Sequence, residues 1–159
     1  MFETRTGNTL SSESSEAADL YQEAVDLILG SESGASETLD KALQLDKDFA
    51  LAAAARYYVA KDVGEPDAEV YRELAEQASL NATDWERQHI DVLVGMIDQP
   101  DATRAKALAY IETTPADLLV ISQIAGKLLF FGGPKKLDAV LDVLESVETA
   151  LGNDWAFLA

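Results

Sequence analysis

The stretch Gly64-Glu65-Pro66-Asp67-Ala68 decides the fold of this chain, because its pattern returns at a fixed interval. Prolines recur every 34 residues, at Pro66, Pro100 and Pro134. Residues that suit a helix end lie on a grid of the same period, at Gly30, Gly64, Asp98 and Gly132. A glycine that ends one helix and a proline that begins the next are typical of a helix–turn–helix unit. The 34-residue period therefore predicts a stack of such units.

The composition narrows the class of partner. The chain has 159 residues, of which 48% are hydrophobic, as is ordinary for one globular domain. Twenty-nine acidic residues against 12 basic ones give a formal net charge of −17. Because such a surface repels phosphate backbones and anionic lipid heads, we expect neither a nucleic acid nor a membrane as partner. The acidic surface is either a solvated one suited to a salty cytoplasm or a surface for a basic partner.

The sequence also bears on the compartment. There is no cysteine, which excludes disulfides and thiolate metal sites. No apolar run reaches the ~18 residues of a membrane span, and the polar N-terminus lacks the apolar core of a signal peptide. We therefore expect a cytoplasmic protein.

Apolar periodicity divides the chain into a lead-in and a helical-repeat domain. Residues 1–12 show no periodic pattern, and we expect them to be disordered. Residues 13–159 predict an all-α domain with about eight helices plus a truncated ninth. The predicted helix pairs span residues 13–45, 48–79, 84–113 and 116–152, and residues 154–159 begin a further helix. This last run repeats the start of the third helix, so we interpret the chain as a fragment of a longer repeat protein.

Several helices carry more detailed expectations. Thr83-Asp84-Trp85-Glu86 is a capping box that begins the fifth helix. Thr114-Pro115-Ala116-Asp117 predicts a threonine cap and a proline at the first position of the seventh helix. Residues 118–131 are apolar nearly all round, so we expect this helix to be the most buried. The eighth helix is predicted to bury one stripe, formed by Leu137, Val140, Leu141, Leu144, Val147 and Leu151.

No constellation of side chains indicates catalysis, a metal ion or a cofactor. His89 is the only histidine, which leaves no histidine pair for zinc. It follows Trp85 by one turn on an apolar helix face, where a satisfied, partly buried histidine is favoured over a ligand or base. The Asp-rich turns lack the spacing of a calcium loop, and no nucleophile or phosphate-loop motif is present. We therefore expect a protein that is not an enzyme and that holds no cofactor or metal.

The repeat resembles the tetratricopeptide repeat family. Ala35, Leu39 and Ala42, followed by Leu45-Asp46-Lys47, are similar to the second helix of that motif, with Lys47 where the family usually has proline. The same slot holds Asn81 and Pro115 in the next two periods. Within the family the chain most resembles proteins similar to tetratricopeptide repeat protein 38. Three stretches carry that likeness: Leu45-Asp46-Lys47-Asp48-Phe49-Ala50-Leu51-Ala52, Pro115-Ala116-Asp117-Leu118-Leu119 and Phe130-Phe131-Gly132.

The resemblance covers residues 18–158 and implies a right-handed α-solenoid. Gly126-Lys127 departs from the pattern, since a more polar, His-containing turn is expected there. Members of the family are much longer, which fits the interpretation of this chain as a fragment. Repeats of this class are mostly interaction scaffolds without a common chemistry, so the resemblance implies binding and no particular reaction.

Stacked helix pairs curve into a superhelix whose concave wall is formed by the first helix of each pair. We therefore expect a non-enzymatic scaffold that binds a peptide or protein segment in this concave groove. The predicted partner-binding residues lie on those helices: Arg56, Tyr58, Lys61, His89, Gln123 and Lys127. The three positive ones suit a peptide carboxylate or an acidic motif. In the competing interpretation, Arg56 and Lys61 merely pair with nearby acids.

Two other functions stay open. In the first, the chain is part of a larger enzyme, or of an enzyme subunit, whose site needs missing C-terminal repeats. Alternatively it is a self-associating structural module that forms a homodimer through an exposed C-terminal end, made of Trp155, Phe157 and Leu158.

Overall fold

The computed structural model of the protein describes residues 2–158, and this part of the chain is almost entirely helical. A short antiparallel hairpin of β1 (Phe2–Glu3) and β2 (Thr9–Leu10) comes first. Nine α-helices follow in the described residues: α1 (Ser15–Leu29), α2 (Ala35–Leu45), α3 (Ala50–Val63), α4 (Ala68–Ala78), α5 (Asp84–Asp98), α6 (Pro100–Thr113), α7 (Leu118–Phe131), α8 (Lys136–Leu151) and α9 (Trp155–Leu158). Short 3-10 turns lie at Ser79–Asn81 and Gly133–Lys135.

The chain forms two compact units, and the division falls within α5, between Val94 and Gly95. In the first unit, α1 to α4 pack in sequence order and α1 also touches α3. In the second unit, α6 packs against α7, α7 packs against α8, and α8 also touches α6. The prediction of an all-helical protein with neighbouring helices packed together is confirmed.

The most buried helix is α3, so the prediction that α7 would be the most buried is wrong. Nine of the 14 residues of α3 are buried, and six of them are alanines without exposed surface. Small side chains let α2 and α4 both approach this helix closely, and it packs against each of them. The last turn of α7 is exposed instead, with Phe130 and Phe131 each 77% accessible.

The N-terminal segment differs from the predicted disordered lead-in. Thr4 and Asn8 close a turn around Gly7, whose φ of +86° is in the left-handed region that glycine tolerates. Leu10 is buried, and the next residue, Ser11, donates its N–H and its hydroxyl to Glu86 Oε1 at 2.8 and 3.0 Å. Strands of two residues are too short for a periodic signal, and the partner that holds the segment lies 75 residues away.

The helix starts follow the predicted signals in part. The capping box is confirmed, since Thr83 N–H donates to Glu86 Oε2 at 2.7 Å and Glu86 N–H donates to Thr83 Oγ1 at 3.2 Å. Pro100 occupies the first turn of α6, as predicted. The predicted threonine cap of α7 is wrong, because Asp117 caps that helix by accepting from Val120 N–H at 3.3 Å. The Asp117 side chain also accepts a hydrogen bond from the Tyr110 hydroxyl at 2.6 Å, and this bond holds it at the start of α7.

The buried stripe of α8 is narrower than predicted. Val143, Val147 and Leu151 are buried at four-residue spacing, as the sequence predicts for two of them. Leu137 and Leu141 are exposed, so the prediction that these two leucines are buried is wrong. The apolar arc of α8 is wider than the contact with α6 and α7, so its first turns keep leucines at the surface.

Candidate functional site

A cavity of about 400 Å³ lies within the second unit. It is lined by the last turn of α5, the first turns of α6 and one face of α7. Its lining residues are Met96, Pro100, Asp101, Arg104, Ile124, Lys127, Leu128 and Phe131. A cavity of this size holds one large side chain or a small molecule, which makes it the candidate site.

The α7 side of the cavity supplies most of its apolar surface. Ile124, Lys127, Leu128 and Phe131 follow one another at helical spacing and so share a face. Ile124 and Leu128 are buried, whereas Phe131 is largely exposed. The apolar surface thus runs from the core of the unit to solvent. The Lys127 ammonium lies 5.9 Å from the centre of the Phe131 ring, so a cation stands beside the aromatic rim.

The opposite side of the cavity depends on a close approach between α5 and α6. A Cβ added at Gly95 would lie 2.6 Å from Thr103 Oγ1, so any larger residue there would require Thr103 to move. This approach brings the last turn of α5, with Met96, against α6. Arg104 follows Asp101 by three residues on α6 and is exposed. Both side chains therefore stand on the cavity side of the helix.

The charge of the cavity is opposite to that of the chain. Arg104 and Lys127 are two cations against the single carboxylate of Asp101. Within residues 2–158, neither cation forms a salt bridge. Charged groups that are not paired internally are available to a ligand, so the cavity suits a group that joins an apolar body to a negative charge.

Arg56, the first of the predicted partner-binding residues, lies in the first unit and is only 5% exposed. Its Nε donates to Asp40 Oδ1 at 2.9 Å, and its Nη1 and Nη2 donate to the two oxygens of Glu65 at 3.0 and 2.8 Å. The guanidinium also stacks 4.3 Å above the Tyr71 ring. Burial opposes the charge, but the bonds to Glu65 and Asp40 outweigh it and raise the pKa of Arg56. This geometry matches the competing interpretation, in which Arg56 pairs with nearby acids.

Three other predicted residues also lie in the first unit. Lys61 is exposed, and its ammonium lies 3.3 Å from Glu69 and 5.7 Å from the Tyr57 ring centre. Tyr58 is half-buried on α3. His89 is more deeply buried than the predicted partly buried histidine, at 1% exposed, and its ring is tilted against the Trp85 ring at a centroid distance of 5.7 Å. The structure does not gather these residues into one cavity.

The last two predicted residues lie on α7. Gln123 is half-buried, and Lys127 is the one predicted residue that lines the cavity. Sequence reasoning missed Arg104 because it restricted the groove to the first helix of each pair, and α6 is a second helix. Met96 and Phe131 lie on first helices and were not among the predicted groove residues. The available signal was the i, i+4 spacing of Pro100 and Arg104 within α6, which places both on one face of that helix.

Two kinds of site are absent from the described part of the chain. No group of three or more His, Asp or Glu side chains within residues 2–158 is arranged to hold a metal ion. No helix among these residues has the length and apolar character to cross a membrane.

Comparison with known proteins gives no match: no protein family, no curated protein and no solved structure is found to be similar to this chain.

Proposed function

We propose that the chain is a non-enzymatic helical-repeat scaffold that binds a segment of another protein at the cavity of its second unit. The proposal includes the finer architecture implied by the 34-residue period, a right-handed solenoid of tetratricopeptide-like helix pairs, and a cytoplasmic setting. The observation that carries it is one cavity in which Arg104 and Lys127, without internal salt bridges, adjoin the apolar surface of Ile124, Leu128 and Phe131.

The cavity defines what the bound segment must present. An apolar side chain fills the space against Ile124 and Leu128, and burial of such a side chain contributes about 1.5–3 kcal/mol. A carboxylate beside it accepts hydrogen bonds from Arg104 and Lys127. Hydrogen bonds to charged groups contribute roughly 1.5–3 kcal/mol. The two parts together favour a peptide over a purely apolar or purely charged ligand.

The test begins with a displayed peptide library selected against the wild-type chain. The affinity of the selected peptides is then measured for the Arg104→Glu, Lys127→Glu variant and for Lys106→Glu, a matched control on α6 that does not line the cavity. We expect at least about tenfold weaker binding to the double variant and little change for the control. Equal affinity for both variants would place the binding site elsewhere and overturn the proposal.

Self-association is a second candidate, because Trp155 is 47% exposed and Leu158 is 68% exposed. Large exposed apolar side chains close together mark association surfaces. The Trp155→Ser, Leu158→Ser variant separates the candidates. A concentration-dependent mass that falls in this variant favours the homodimer, and a monomeric wild type rejects it.

A further inference from the structure

A glycine in the middle of α7 is not required by the packing of the described chain. A Cβ added at Gly126 would meet no atom within 4 Å. At Gly95, in contrast, an added Cβ would lie 2.6 Å from the Thr103 side chain, which would have to move. Glycine weakens a helix interior relative to alanine, so Gly126 lowers stability without an internal reason. The bare backbone there is open to a molecule outside this chain.

Two large apolar side chains lie beside this open backbone, one turn after Gly126. Residues three and four positions away on a helix share its face, which here gives Ser122, Gln123, Leu129 and Phe130. Leu129 is 39% exposed and Phe130 is 77% exposed. The uncovered backbone of Gly126 thus adjoins two exposed apolar side chains on the same helix face. We call Ser122, Gln123, Gly126, Leu129 and Phe130 the open face of α7.

The charge around the open face selects the partner. Residues 118–137 contain three lysines and no acidic residue, in a chain whose net charge is −17. Lys127 directly follows Gly126, and Lys135 and Lys136 begin the next helix. None of these lysines forms a salt bridge within the described residues. This is the longest stretch of the chain without a carboxylate, so an acidic partner meets no repulsion from it.

We propose that the open face of α7 docks an acidic amphipathic helix of another protein. The inference rests on the proposed function and names the partner class of the same site, because Lys127 borders both the cavity and the open face. The apolar side of the partner helix covers Leu129 and Phe130, and its backbone crosses α7 at Gly126. Its carboxylates lie toward Lys127. Occupation of the open face by a second copy of this acidic chain is a separate outcome, which sedimentation of the wild type distinguishes.

The experiment uses the peptides selected from the displayed library and three variants of the full chain. Gly126→Leu fills the crossing point, and Ala109→Leu adds the same side chain at an exposed position of α6 outside the cavity. Gly126→Ala adds one methyl group and favours the helix. We expect the selected peptides to be acidic, with apolar residues at helical spacing. Their affinity for Gly126→Leu should be at least about tenfold weaker than for the wild type, and their affinity for Ala109→Leu should be unchanged. Gly126→Ala is expected to raise the melting temperature and still weaken binding.

Each other outcome overturns the inference. Peptides that need Arg104 and Lys127 but are basic, or that bind Gly126→Leu as tightly as wild type, overturn the inference and leave the proposed function standing. Peptides insensitive to the Arg104→Glu, Lys127→Glu variant overturn both. A wild-type dimer in sedimentation that Gly126→Leu dissociates would assign the open face to a second copy and reject the acidic helix.

Discussion

Positively charged side chains have different surroundings in the two units of this protein. Residues 1–94 contain seven basic side chains among 20 acidic ones, and residues 95–159 contain five among nine. In the first unit Arg56 is buried between two carboxylates and an aromatic ring. In the second, Arg104 and Lys127 form no salt bridge with the described residues and line a cavity. The surroundings of a cation, and not its charge alone, decide whether it stabilises the fold or remains available to a partner.

Apolar side chains follow the same division. The first unit exposes Leu45, Val63, Val70 and Leu80, which are scattered along the sequence. The second unit exposes a run of large apolar side chains within residues 129–141: Leu129, Phe130, Phe131, Leu137 and Leu141. Singly exposed apolar residues are ordinary, whereas concentrated ones mark interaction sites. We therefore expect replacement of Arg56 to change stability, and replacement of Arg104 or Lys127 to change binding.

The largest effect is expected at Arg56. The Arg56→Ala variant leaves Asp40 and Glu65 without their partner and opens a void beside Tyr71. Because both carboxylates are partly exposed, water offsets some of the loss, and the free energy of unfolding should fall by about 2–3 kcal/mol. Urea denaturation measures it. Lys61→Ala is the control, since its solvated pair with Glu69 contributes less than about 1 kcal/mol. Equal losses in the two variants would erase the contrast between a buried and an exposed cation.

A somewhat smaller effect is expected at Glu86. This side chain has no exposed surface and accepts three hydrogen bonds, two from Ser11 and one from Thr83 N–H. Glu86→Ala removes the capping box and the anchor of residues 2–12, which should cost about 2 kcal/mol.

Hydrogen exchange measures the local consequence, because the amides of Ser11 and Thr83 should lose protection in Glu86→Ala. The control is Ser11→Ala, which removes only the hydroxyl bond and should keep most of that protection. Unchanged exchange in Glu86→Ala would show that the segment is held by the burial of Leu10 instead.

The smallest effects are expected at Gly95 and Gly126, the two glycines that lie inside helices of the second unit. Gly95→Ala forces Thr103 to move and should destabilise the chain by about 1–2 kcal/mol. Gly126→Ala meets open space and should stabilise it by about 0.5–1 kcal/mol. Thermal unfolding of the two variants gives opposite shifts of Tm. Shifts of the same sign would contradict the inference that packing within the chain requires glycine at position 95 but not at position 126.

Local signals predicted the helices well because each signal acts over a few residues. Gly64, with φ +75°, ends α3, and the capping box of Thr83 and Glu86 begins α5. Of the residues that line the candidate site, Lys127 is the one that was among the predicted partner-binding residues. Arg56 and Lys127 are both cations on apolar helices, so sequence alone gives them the same role. The difference lies in Asp40 and Glu65, whose approach to Arg56 depends on how α2, α3 and the turn before α4 pack.

The sequence by itself determined that the chain is a succession of short helices, since apolar periodicity, caps and glycine stops are properties of neighbouring residues. It also determined the acidity of the surface and the absence of thiol chemistry. Only the tertiary structure decided which apolar faces are buried, why Ser11 is held by Glu86, and where a cavity brings Arg104 to Lys127. These depend on contacts between residues far apart in the chain, and a helix face with apolar residues on a wide arc does not specify which part of that arc its neighbours cover.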